Sequence, residues 1–263
     1  MTTLAAAEAK TPGTAPTHAA PAAPRFDMYA SIHKALRSLM CDTLLQVGRM
    51  DVNDLVDLDS TLNRVEMLLG FCLDHIEHEN GWVHTAIEAR QPAGAARTAH
   101  DHEEHVESIA ALRAETAALR AAKPQAQAML AHRLYHHLAL FVAENFQHMH
   151  IEETANNAAL WALYTDAELH EIHGRLLAAI PPVKELQVVR WMIPACSPME
   201  RAAIVGHAKS QMPPEAFLGV LAHVRPHLDA SGWLKLAAAV GVAPSLGLAV
   251  SSSLSSLTAQ DGC

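Results

Sequence analysis

QHMHIEE, residues 147–153, sets His148 and Glu152 four residues apart at the end of an apolar run, with His150 and Glu153 beside them. On an α-helix, positions four apart point about 40° from one another with roughly 6 Å of rise, so both side chains can reach one ion. FCLDHIEHE, residues 71–79, repeats the arrangement with His75 and Glu79. Both pairs also continue apolar stripes: Leu68, Cys72, His75, Ile76 and Glu79 on one helix, Phe141, Asn145, His148 and Glu152 on the other. Each pair therefore points inward, while His150 and Glu153 face the wet side.

Working outward, the spacing of apolar residues predicts four long helices. Asp27 caps the first, with Ile32, Leu36, Leu39, Met40, Leu44 and Val47 on its apolar face, and a break follows at Gly48–Asn53. The second carries Leu55 through Val83, bends at Gly81 and stops near QPAG, residues 91–94. The third spans roughly Ala96–Ala122 and is closed by Lys123 and Pro124, because proline disfavours helix in the residue before it. The fourth spans about Gln125–Leu160. Short breaks between long amphipathic helices predict antiparallel neighbours, hence an all-α, up-down-up-down four-helix bundle. A short fifth helix starts at Thr165 and Asp166 and ends at Ile180.

The flanking segments have another texture. Residues 1–25 are alanine-, proline- and threonine-rich with little to bury, which predicts a disordered tail, and residues 244–263 are serine-rich and predicted to be flexible. Between 26–182, the bundle, and the last tail lies a C-terminal helical extension, 183–243. Its prolines predict three or four small helices around Trp191, Phe217, Leu221 and Trp233.

Half of the 263 residues are hydrophobic and only 5% are aromatic, which favours a sizeable helical core. The formal charge of -9, without a cluster of lysine and arginine, argues against nucleic acid as a partner. No run of apolar residues is long enough to span a bilayer, and no basic start precedes an apolar signal, so no membrane partner and a cytoplasmic location are expected. Cys41, Cys72, Cys196 and Cys263 form no CxxC pair, consistent with a reducing compartment. The anomaly is histidine: 18 residues, against 19 lysines and arginines combined. Metal ligation and proton transfer are its common functional uses.

In an antiparallel bundle, early positions on odd helices meet late positions on even ones. His33 lies near the start of the first helix, His75 late in the second, His102 and His105 early in the third and His148 late in the fourth. Burying these imidazoles with Glu79 and Glu152 uncompensated would cost many kcal/mol, since one unpaired polar group already costs several. A dinuclear metal removes that cost, with the two glutamates bridging and histidines completing each ion. Mixed imidazole and carboxylate donors suit iron or manganese better than structural zinc.

The residues that carry this reading resemble the hemerythrin-like, or HHE cation-binding, family over about Phe26–Pro182: IHKALR with His33, FCLDHIEHE with His75 and Glu79, DHEEHVESIAAL with His102, and HMHIEETANNAALWALYTDAEL with His148 and Glu152, followed by LLAAIPP. The resemblance implies a four-helix bundle holding two iron ions, a non-haem di-iron centre bridged by the two glutamates and an oxo or hydroxo group, with iron ahead of manganese. The oxygen-carrying members have a further histidine one turn before the counterpart of His102, where this chain has Thr98. In ligand count the chain is similar to bacterial members that resemble iron-sulfur repair di-iron proteins. A missing ligand leaves an open or water-filled position, which suits reaction with oxygen, peroxide or nitric oxide.

Three further residues carry double readings. His105, three residues after His102, could replace the missing ligand, serve as an acid beside the ions, or be the ligand in place of His102. The spacing in HEEHVESI favours His102, with Ile109 seven residues on. Glu144, one turn before His148, is expected to face the interior and orient an imidazole or relay a proton, or else to lie on the surface. His105 and Glu144 are thus the candidate catalytic groups. Tyr29 is read as core filler ahead of a hydrogen-bonding or redox role. His78, His84, His132, His136, His150, His170 and His207 are read as surface or capping residues.

The functions expected are a redox enzyme acting on a small diatomic or peroxide ligand with an electron donor and a small-molecule substrate, or a carrier or sensor without turnover. A purely structural metal is a third reading. A monomer and a homodimer fit equally.

Overall fold

Asp27 begins the first helix: its carboxylate accepts the N–H groups of Tyr29 and Ala30 at 2.9 and 3.0 Å. Helix α1 runs Ala30–Arg49. Asp54 caps α2, Leu55–His78, by accepting from Val56 and Asp57. Helical hydrogen bonding then continues through a π turn, Glu79–His84, into α3, Thr85–Arg90, so the bend expected at Gly81 is a π turn in an unbroken helix. The turn into α4, Ala96–Arg120, is built by Glu88, whose carboxylate accepts from Ala93 and Ala95. Gly94 is required there, because a Cβ would lie 2.7 Å from Ile87 Cγ2 and 2.8 Å from the Gln91 carbonyl. Helix α5, Pro124–Ile151, passes through a second π turn, Glu152–Asn156, into α6, Asn157–Leu163. Thr165 and Glu168 form a capping box at the head of α7, Asp166–Ala179.

The computed structural model describes residues 25–245. The expected tails lie outside the described residues except for Arg25, Pro244 and Ser245. Arg25 is tied down by Asp166 at 2.6 Å and by the carbonyls of Trp161 and Tyr164. Among the described residues there is no strand, and no helix is long and apolar enough to cross a membrane.

Helix α1 packs against α2 and α5, and α4 packs against the same two, closing a ring. Its largest core cluster includes Leu36, Leu39, Leu62, Leu68, Leu69, Cys72, Ile109, Leu112, Leu138 and Phe141. A second cluster holds Tyr29, Val83, Ile87, Ala95, Leu160 and Leu169. Along each segment the chain passes from one cluster to the other across a polar residue: Tyr29, His33, Leu36 leading into α1; Cys72, Glu79, Val83 from α2 into its π turn; Ala95, His102, Ile109 leading into α4. On the α5 segment the order is Met149, Glu152, Leu160. Two dry layers thus enclose a polar one.

The C-terminal part folds as α8 (Pro182–Ala195), α9 (Pro198–Gln211), α10 (Pro214–Val224) and α11 (Ala230–Val240). Its core comprises Ile193, Val205, Phe217, Leu221, Trp233 and Leu236. Helix α8 lies along α1, with Val188 and Trp191 against the main core and Arg64 over the Trp191 ring at 5.2 Å.

Glu200 links the two parts: it completes a capping box with Ser197 and accepts both oxygens' worth of contact from Lys34 of α1, at 2.6 and 2.7 Å. Lys34 and the Ser197 backbone lower its pKa to about 2. A carboxylate depressed below its unfolded value of about 4.3 adds stability above roughly pH 5 and loses it as the pH falls toward 2. The pair is partly exposed, so the contribution is about 1 kcal/mol or less. The melting difference between wild type and Glu200→Gln should therefore be largest near neutral pH and close below about pH 3 in a thermal-unfolding pH series. A difference that persists unchanged at pH 2 would refute the assignment.

Candidate metal centre

The polar layer brings together the six side chains singled out by spacing. His33, His75, Glu79 and Glu152 form one group whose ligand atoms lie within 4.8 Å of one another, and Glu79, His102, His148 and Glu152 form a second. The glutamates belong to both. Glu79 Oε1 is 3.4 Å from His33 Nε2 and 3.2 Å from His75 Nε2, and its Oε2 is 3.4 Å from His102 Nε2. Glu152 Oε2 is 3.4 Å from His33 Nε2 and 3.2 Å from His148 Nε2, and its Oε1 is 3.7 Å from His102 Nε2. Each carboxylate spans the groups. His33 and Glu152 are 0% exposed, and His75 is half-buried.

The outer ring nitrogens are held from behind. His33 Nδ1 lies 3.1 Å from Glu153, which is itself clamped by both terminal nitrogens of Arg37. His102 Nδ1 lies 2.8 Å from the Asn80 side-chain oxygen, and His148 Nδ1 lies 3.3 Å from Asp101. These partners are acceptors, so each imidazole donates its Nδ1–H outward and turns Nε2 inward, where the neutral ring carries a lone pair. Glu153, expected on the wet side, is therefore a support of the cluster at the edge of solvent.

The inward-facing atoms have no hydrogen-bond partner: His33 Nε2, His75 Nε2 and all four oxygens of Glu79 and Glu152 are buried without one. His102 Nε2 and His148 Nε2 stand 3.0 Å apart, and with both lone pairs inward they repel. So many unsatisfied acceptors aimed at one volume would cost several kcal/mol each. Cations would supply what is missing, and the nitrogen and oxygen donor set fits them. The buried His/Glu groups can hold metal.

The electrostatics point the same way. Burial works against an imidazolium at His33, yet Glu153, Glu79 and Glu152 overcome it and raise the pKa to about 9. Burial raises the Glu79 carboxyl, but His75, His102 and His33 more than reverse this and hold it well below the usual range. Burial and the neighbouring Glu79 push Glu152 up, and His148 and His84 bring it down. The layer is a place for positive charge.

His84, expected on the surface or at a cap, is instead 5% exposed, with Nε2 3.7 Å from Glu152 Oε1 and its ring stacked on His102 at 4.8 Å. The π turn explains the misreading. In an α-helix His84 would lie about 140° from Glu79, five residues back, whereas a turn closed by bonds spanning five residues returns it to Glu79's face. Glu144, read either as facing the interior or as lying on the surface, is exposed. Asn145 takes the buried position beside it and donates to the Phe141 carbonyl at 2.8 Å, so no third anion enters next to two buried carboxylates. His105 is buried against Phe141 and His148 but belongs to neither ligand group, and burial lowers its pKa to about 4. Tyr29 is buried, its ring 5.1 Å from that of His33, and burial with Glu152 and Glu79 keeps its hydroxyl protonated well above the ordinary range. His132, His136, His150, His170 and His207 are exposed and His78 is half-buried.

A surface depression of about 420 Å³, lined by Ile76, Asn80, Ala99, His102, Glu103 and Val106 among others, lies against the second group. No family model matches the chain, and neither a curated protein nor a solved structure matches it.

Proposed function

We propose that the protein is a hemerythrin-like, non-haem di-iron protein built on an up-down-up-down four-helix bundle, residues 26–182, with 183–243 as an appended helical extension. The observation that carries this reading is the convergence of bare, buried Nε2 atoms and four carboxylate oxygens on two adjoining groups that share Glu79 and Glu152. His33 and His75 would hold one ion, His102 and His148 the other, and the glutamates would bridge them. Imidazole with carboxylate favours iron, then manganese. When bound, the metal pair supplies a redox-active Lewis acid that takes up oxygen, peroxide or nitric oxide.

The remaining chemistry belongs to the chain. Glu153, Asn80 and Asp101 fix ring tautomers, so that the donor atoms face inward before any ligand arrives. The two apolar layers exclude water, strengthening every charge interaction between them. His105, neutral near pH 7, packs against His148 and adds no charge to the layer. Tyr29 keeps its proton beside the two carboxylates. The depression at His102 and Asn80 offers small ligands an approach. We favour a redox enzyme that draws on an electron donor over a carrier or sensor.

The test is anaerobic reconstitution of the full chain with ferrous iron, a metal count, and ultraviolet-visible spectra before and after oxygen, peroxide or nitric oxide. Two irons per chain, absorption that changes with the added ligand, and steady consumption of peroxide or oxygen with a reductant are expected. Fewer than one bound metal per chain overturns the reading. A stable, reversible oxygen adduct without turnover would favour the carrier.

A further inference from the structure

The two groups are unequally supplied with buried imidazole. Beside His102 and His148 stands His84, whose Nε2 is as far from Glu152 Oε1, 3.7 Å, as that of His102. The His84 and His102 rings lie nearly parallel, 14° apart, so both present an edge to the same carboxylate oxygen. His84 is 5% exposed, and its Nδ1 is buried without a partner. The ring is thus held through Nε2, the nitrogen that also faces Glu152.

What holds the ring is Thr98, with Oγ1 3.1 Å from His84 Nε2. That hydroxyl also accepts from the Asn156 amide at 3.1 Å and lies 3.1 Å from the Ala95 carbonyl. Its single hydrogen thus has two acceptors at equal distance, His84 Nε2 and Ala95 O. When it points to His84 it occupies the Nε2 lone pair. Turning it to Ala95 leaves the oxygen in place against that lone pair, so Nε2 becomes available to an ion only when the ring swings from Thr98 toward Glu152 Oε1, 3.7 Å away. Asn156 comes from the second π turn and also lies 3.4 Å from the Tyr29 hydroxyl, so both π turns meet at this threonine.

Resting on the di-metal reading above, we propose that His84 is a third nitrogen ligand for the ion of His102 and His148, delivered by the π turn at Glu79–His84 and released to the metal when its ring swings from Thr98 toward Glu152. The two ions are then chemically distinct, with two imidazoles on one and three on the other. Thr98 is a positioning residue that competes with the metal for His84.

The full chain, stripped of metal and loaded with cobalt(II), provides the test without any substitution. Proton NMR should show hyperfine-shifted ring signals from five ligated imidazoles. Four such signals overturn the proposal, and a wild-type chain that takes up no metal overturns the di-metal reading itself. His84→Phe, which keeps ring volume and stacking but has no nitrogen, should lose one of its two ions to a chelator at least tenfold faster than wild type while holding the other. Thr98→Val should slow release of that same ion. Wild-type release of both ions from His84→Phe would also overturn the assignment.

Discussion

Replacing Glu152 by alanine is expected to weaken both bound ions together, by at least about 100-fold in affinity, leaving less than one metal per chain after desalting. The reason is geometric: Glu152 belongs to both ligand groups, with one oxygen by His33 and His148 and the other by His102. Removing groups that only orient a metal ligand already costs 10–100-fold, so a shared ligand should cost at least as much. Glu79→Ala should do the same. His75→Ala belongs to one group only and should leave about half of the metal in place. Metal analysis of the three variants separates the cases. Equal losses in all three, or none in the glutamate variants, would show that the carboxylates are not shared.

The second large effect concerns stability. Chelating the metal should lower the melting temperature by about 8–16 °C. Metal that binds the folded chain at roughly a thousandfold above its dissociation constant adds about 4 kcal/mol, and a domain of this size shifts by about 2–4 °C per kcal/mol. The physical origin is the polar layer between the two apolar clusters, where His33, His75, Glu79 and Glu152 keep buried atoms without hydrogen-bond partners. Calorimetry with and without a strong chelator measures the shift, and re-addition of iron should reverse it. An unchanged melting temperature would mean that these groups satisfy one another without a cation.

The particular residues show where local reasoning reaches. His75 with Glu79 and His148 with Glu152 are legible because a four-residue spacing is set by α-helical geometry and each pair extends an apolar stripe. His33 and His102 are legible through their depth along their helices. His84 is not, because the α period carries it to the opposite side of the helix, and only the π turn returns it to the cluster. Glu144 is open between interior and surface on spacing alone. Asn145, four residues from Phe141 and three from His148 on the stripe, takes the buried position, and Glu144 beside it is exposed. Spacing turns Glu153 toward the wet side, yet His33 from α1 and Arg37 one turn on converge upon it.

By itself, then, the sequence determined the helical character of the chain, most helix limits and the inward direction of two histidine–glutamate pairs, since caps, prolines and the 3.6-residue period act within a few neighbours. Only the tertiary structure decided that two of those helices widen into π turns at Glu79 and Glu152, that His84 and Asn156 enter the layer there, and that Asn80, Asp101 and Glu153 back the inward-turned rings. A π turn gives up good local hydrogen-bond geometry and persists where packing against other helices repays it. That repayment comes from residues distant in the chain, which no local period records.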